Sequence, residues 1–183
     1  MSREPIPASA YDMDHEEEAE ERRTLAVLVD NEPGVLGRVV GLFSARGYNI
    51  ESLTVAEVDR DKHRSRITIV TTGTAHMLEQ IEAQLLRLVP VASVIDITKS
   101  KRGIERELAL VKVAGTGDKR VEALRIGEIF RAHVIDTTNE SFIFEVTGTS
   151  EKIDQFSELM DPLGLVEVSR TGVLSIKRGK EAG

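Results

Sequence analysis

At 183 residues with a formal net charge of −7, the chain has room for one domain or two small ones, and it lacks the clustered Lys/Arg face that duplex nucleic acid requires. Hydrophobic residues make up 40% but aromatic residues only 4%, with no Trp, so the core must be built from Val, Ile and Leu. The absence of Cys excludes disulfides, thiolate metal sites and cysteine nucleophiles, and no apolar run approaches the ~18 residues that span a bilayer.

Residues 1–22 combine Pro5 and Pro7 with small polar residues and the acidic run Glu16, Glu17, Glu18, Glu20 and Glu21. So little apolar surface predicts a flexible, solvated tail, with a short helix around Glu16–Glu21 as the alternative. An acidic start is the opposite of a basic targeting segment, so the expected location is the cytoplasm. From Thr24 the pattern changes: Leu25, Val27 and Val29 alternate with period two, predicting a strand over 24–30. Asp30-Asn31-Glu32-Pro33-Gly34 interrupts it, and Val35, Leu36, Val39, Val40 and Phe43 follow at helical spacing until Arg46 and Gly47 supply a stop. The runs 49–58 and 65–72 predict a hairpin around the charged turn Asp59–His63. Leu78, Ile81, Leu85 and Leu88 mark a second helix, and 91–98 a fourth strand. The order βαββαβ, with both helices on one face of an antiparallel sheet, is the ferredoxin-like α+β arrangement.

The charged, Gly-containing stretch 99–104 is the best boundary, dividing the chain into units at 23–99 and 104–178. The second unit echoes the first. Thr72-Gly73-Thr74 precedes Leu78 and Ile81 at the same offsets at which Thr147-Gly148-Thr149 precedes Ile153 and Phe156, and Leu42-Phe43-Ser44-Ala45 is echoed by Ile129-Phe130-Arg131-Ala132. These matches predict a second βαββαβ unit with strands near 107–114, 132–138, 142–147 and 164–170, and with 171–177 extending its sheet.

Residue types that carry catalysis are not arranged for it. His15, His63, His76 and His133 show no ligand spacing, Gly115-Thr116-Gly117 lacks the rest of a phosphate loop, and there is no G-x-S-x-G elbow. The pattern points to binding, without a catalytic or metal site. The segment with a physical signal is 30–50. A helix that starts after Asn31-Glu32-Pro33-Gly34 presents backbone N–H groups with partial positive charge, suited to a carboxylate. Gly34 allows close approach, Asn31 both donates and accepts, and Val35 and Leu36 offer apolar surface, as an α-amino acid with a branched side chain needs. A second reading stays open here: Asn31 or Asp30 caps the helix while Pro33 and Gly34 shape the turn.

The stretch 23–55, with Asn31-Glu32-Pro33-Gly34-Val35-Leu36, Gly41-Leu42-Phe43-Ser44 and Arg46-Gly47-Tyr48-Asn49-Ile50-Glu51-Ser52-Leu53-Thr54-Val55, resembles the ACT regulatory domain of acetolactate synthase small subunits. The likeness continues through Glu79-Gln80-Ile81, Glu105-Arg106-Glu107-Leu108, Glu128-Ile129-Phe130-Arg131 and Arg170-Thr171-Gly172. It implies that ACT domains pair side by side as a homodimer and that a feedback inhibitor, usually valine, binds between protomers. Asn31, Gly34, Val35 and Leu36 of one chain would then face Asn49 and Ile50 of the other. It further implies an allosteric regulatory role in branched-chain amino acid biosynthesis, with no catalytic site or cofactor in this chain. A catalytic large subunit would carry thiamine diphosphate, Mg²⁺ and FAD, and would be activated by this chain until valine binds. Pro33 and Val35 stand where some relatives carry smaller or polar residues. Two other classes remain: a free-standing amino-acid-sensing ACT protein acting on another enzyme or on transcription, and a small enzyme with a cryptic site in 105–177.

Overall fold

A computed structural model describes residues 19–99 and 103–180. The first strand, β1 (Glu20–Asp30), is central in its sheet and its middle is buried on both faces: Leu25, Val27 and Val29 point to one side, Thr24 and Ala26 to the other. The chain then forms α1 (Val35–Ala45), β2 (Ser52–Asp59), β3 (Arg64–Thr74), α2 (Ala75–Leu85) and β4 (Val91–Asp96), with sheet order β2-β3-β1-β4 and all pairs antiparallel. This is the ferredoxin-like order. Leu25, Val27, Val29, Ile67 and Ile69 of the sheet meet Val39, Leu42 and Phe43 of α1 and Leu78, Ile81 and Leu85 of α2, all buried, so the aliphatic core anticipated from composition sits between the sheet and both helices.

The second unit repeats the plan with β5 (Gly103–Ala114), α3 (Asp118–Phe130), β6 (His133–Thr137), β7 (Ser141–Gly148), α4 (Ser150–Gly164) and β8 (Leu165–Arg170), in the order β6-β7-β5-β8. Thr74 and Thr149 cap α2 and α4 in the same way, their side chains accepting from Met77 and Lys152 N–H groups. Leu78, Ile81 and Leu85 of α2 correspond in place to Ile153, Phe156 and Met160 of α4, and all six have no exposed surface. The second core is more aromatic: Phe156 packs against Phe130 and Phe144 at centroid distances of 5.4 and 5.8 Å.

β2 starts at Ser52, so Asn49 and Ile50, expected within that strand, precede it, while β1 and β5 begin earlier than the sequence reading places them, both for one physical reason. β1 begins at Glu20, so Glu20–Arg22, placed in the tail by the sequence, lie in the sheet, because β3 runs on to Thr74 and offers partners through the register Glu20↔Thr74. Arg23, only 5% exposed, is held there by Glu21, Asp96 and Glu82 at 2.8, 3.5 and 3.7 Å. The short helix considered for 16–21 is therefore not formed at Glu20 and Glu21; the rest of the tail, 1–18, lies outside the described residues. Similarly β5 starts at Gly103, within the expected break, because Gly103–Arg106 pairs with a final strand, β9 (Leu174–Lys177).

The face of the first sheet away from its helices is also occupied. Thr24, Ala26, Thr68 and Val70 on that face are buried, and the strap from Gly172 to Lys177 reaches it. The N–H of Val173 donates to Ser52 Oγ at 2.8 Å, and Thr54 Oγ1 donates to the Val173 carbonyl at 3.1 Å. Gly172 has φ of +82°, and a Cβ there would stand 2.7 Å from Ser52 Oγ, so only glycine lets the strap lie this close. Arg22 adds a second link, 3.4 Å from both Glu51 in the first unit and Glu105 in the second.

Candidate ligand site

The β1–α1 loop is set by two backbone anchors: Asp30 donates to the Pro90 carbonyl at 2.8 Å and Asn31 to the His63 carbonyl at 2.6 Å. The chain turns through Pro33 into Gly34, the N-cap residue of α1, at φ +85° and ψ −4°. That left-handed conformation suits glycine. No side chain caps the helix, and its first turn holds no acidic residue. Val35 N–H is engaged by the Glu32 carbonyl, whereas among the described residues nothing accepts from the N–H groups of Gly34, Leu36 or Gly37. These unmet donors and the helix dipole leave partial positive charge at an exposed surface. Glu32, the nearest carboxylate in the loop, is drawn off by Arg38 Nη1 at 2.8 Å. Neither side chain offered as a cap fills that role, since the Asn31 amide donates to Glu57 Oε1, 3.5 Å away on β2, and Asp30 pairs with Arg64 at 3.7 Å, while Pro33 and Gly34 do shape the turn.

Asn31, Gly34 and Leu36 are exposed around this helix start, Leu36 to 38%, while Val35 turns inward and is only 7% exposed. Val35 is therefore a core residue beneath the loop, and Leu36 is the apolar side chain presented at it. Asn49 and Ile50 lie elsewhere. They follow the far end of α1, about 16 Å away for an 11-residue helix, where the Asn49 carbonyl accepts from Thr71 Oγ1 at 2.6 Å. One chain does not bring the two groups together. Between them runs β2, an edge strand with Val55 and Val58 exposed to 46% and 54%. Glu57 was missed by the sequence reading; its proximity to Asn31 depends on β2 lying beside the loop, which no local pattern reveals.

A second polar feature lies between the units, a cleft of about 630 Å³ reached by Arg22, Glu51, Ser150 and Arg170. Glu107, which also lines it, is only 5% exposed and accepts two parallel bonds from Arg170, Nε to Oε1 at 2.9 Å and Nη2 to Oε2 at 2.7 Å, with Ser150 Oγ donating at 3.1 Å. Arg170 also holds Asp154 at 2.6 Å. The Glu107 contact raises the Arg170 guanidinium above its ordinary value, with burial opposing and Asp154 reinforcing. Charges here satisfy one another, which suits a clamp within the second unit. Among the described residues no three His, Cys, Asp or Glu side chains gather as metal ligands, and no helix is long and apolar enough to cross a membrane.

Comparison with known proteins gives the same picture on both units. Residues 25–93 match the family described as AHAS small subunit-like ACT domain, and residues 106–179 the small subunit of acetolactate synthase. The acetolactate synthase small subunit of Haemophilus influenzae is 47% identical over 161 residues, covering 87% of this chain and 98% of that protein. The probable small subunit of Archaeoglobus fulgidus is 46% identical over 160 residues, covering 87% and 99%. The crystal structure of the small subunit from Thermotoga maritima superposes with a TM-score of 0.79 at 37% identity, over 88% of this chain and 99% of that one.

Proposed function

Because the chain belongs to the acetolactate synthase small-subunit family, we propose that it associates with and activates a separate catalytic subunit and makes that enzyme sensitive to valine. The thiamine diphosphate, Mg²⁺ and FAD of the reaction belong, on this reading, to the catalytic subunit. The observation that carries the sensing role is the uncapped start of α1, where the N–H groups of Gly34, Leu36 and Gly37 have no acceptor among the described residues and stand beside an unfinished sheet edge.

A two-fold axis through the middle of β2 completes the pocket. Two β2 strands paired antiparallel place the start of one against the end of the other. Asn31 touches Glu57 near the end of β2, and Asn49 and Ile50 immediately precede its start, so each loop then faces Asn49 and Ile50 of the partner subunit. The ligand carboxylate takes the α1 N–H groups, the ammonium is met by Asn31 and by carbonyls of the partner strand, and Leu36 with the partner's Ile50 covers the branched side chain. Inhibition requires valine to prefer one dimer geometry over another, and a tenfold preference is worth ~1.4 kcal/mol.

The test is calorimetric titration of the purified chain with L-valine and with L-lysine as a charged control, followed by assay with the catalytic subunit. Valine-selective heat that Asn31→Ala abolishes, with activation retained in the variant, is the expected result. An absence of heat with valine, leucine and isoleucine would sink the valine reading.

A further inference from the structure

Behind the first sheet, on the face opposite α1, lies a cavity of about 510 Å³ between that sheet and the strap of the second unit. Its size is that of a small-metabolite pocket. Leu28 and Val58 of the sheet and Ile176 of the strap give it apolar walls. Around them stand Lys62, Arg64, Arg66 and Lys180, against one carboxylate among the described lining residues, Asp59, which is 3.7 Å from Lys62. So strong a local excess of cations is unusual in a chain of net charge −7. Arg66 adds a more pointed observation. Its Nε and Nη2 are shielded from solvent and have no hydrogen-bond acceptor among the described residues. These two N–H groups form the fork that receives a carboxylate or phosphate in parallel, and leaving a buried cationic donor unmet is costly.

We propose that this cavity is a second ligand site, distinct from the α1 loop, that takes a small organic anion with a carboxylate or phosphate head and an apolar body. The Arg66 guanidinium, turned about its terminal torsion toward the cavity, grips the head; Arg64 and Lys180 add charge, and Leu28, Val58 and Ile176 enclose the body. Because one wall is sheet and the other is strap, the ligand ties the two units together, and it reports on a different metabolite from the interfacial site. Burial holds the Arg66 guanidinium below its ordinary value.

The probes are inorganic phosphate and isovalerate, each against potassium chloride at matched ionic strength, read by thermal melting and titration calorimetry on the full chain. The parent protein melts higher with one or both probes. Arg66→Met melts at or above the parent in probe-free buffer, since it removes two shielded donors that have no acceptor among the described residues, yet loses the probe-induced rise and at least tenfold in affinity. Arg66→Lys, which keeps the charge without the fork, falls between. Asn31→Ala leaves the response intact, which separates this site from the valine pocket. A response to phosphate alone assigns a phosphate head, and to isovalerate alone a carboxylate. No response to either probe, or an undiminished response in Arg66→Met, overturns the proposal.

Discussion

Replacement of Gly34 separates the backbone role of this residue from its role at the ligand. It sits at φ +85°, and a Cβ built there has no atom within 4 Å, so the cost of Gly34→Ala is confined to the backbone. A left-handed conformation costs an L-residue about 1–2 kcal/mol, and for a chain of this size each kcal/mol lowers the melting temperature by roughly 2–4 °C. Gly34→Asn should lose less, because Asn visits this region more readily. Gly34→Asp carries a comparable backbone cost but places a carboxylate in the open space where the ligand's own carboxylate is to lie. Loss of one charge-assisted hydrogen bond is worth about 1.5–3 kcal/mol, a roughly 10- to 150-fold fall in valine affinity. Differential scanning calorimetry and valine titration on the three variants give both quantities. A folded Gly34→Asp protein that binds valine within about threefold of the Gly34→Asn protein would refute the placement of the ligand carboxylate at α1.

Arg170→Met leaves the Glu107 carboxyl 5% exposed and without its fork, so unfolding in denaturant should show a loss of about 3 kcal/mol or more, with the double variant Arg170→Met, Glu107→Gln recovering much of it. An unchanged denaturation midpoint in Arg170→Met would show that the clamp contributes little. Val55 lies near the centre of β2, so a two-fold pairing there sets Val55→Glu against its own copy. On the proposed pairing, the variant should sediment as monomer where the parent sediments as dimer, with circular dichroism unchanged, and a variant that remains dimeric would exclude the β2 edge as the interface.

Much of this architecture is written in local periodicity. The alternation of Leu25, Val27 and Val29 and the helical spacing of Leu78, Ile81 and Leu85 located their elements because each buries one side on the same core. Strand beginnings were less legible, since Glu20–Arg22 and Gly103–Arg106 are ordered by partners far along the chain, β3 and β9, and not by their own pattern. The Pro33-Gly34 turn marked the loop of interest. Whether that helix was capped depended on where the Asn31 side chain goes, and Glu57 is 26 residues away. Asn49 and Ile50 entered through family resemblance; nothing in their own spacing distinguishes them. Arg66 reads as the outward residue of an alternating strand, and only the return of the strap over that face gives it an enclosed setting.

Strand β5 has a mechanical consequence. Its first four residues belong to the ribbon with β9 behind the first unit, while Glu107–Ala114 runs through the middle of the second sheet beside β7. At 12 residues it is a spar about 40 Å long, and from Ile104 to Ala114 it contains neither Gly nor Pro to act as a swivel. A change in the first sheet that turned the ribbon would therefore be passed along the spar to the second sheet, with no hinge residue between Ile104 and Ala114 to absorb it.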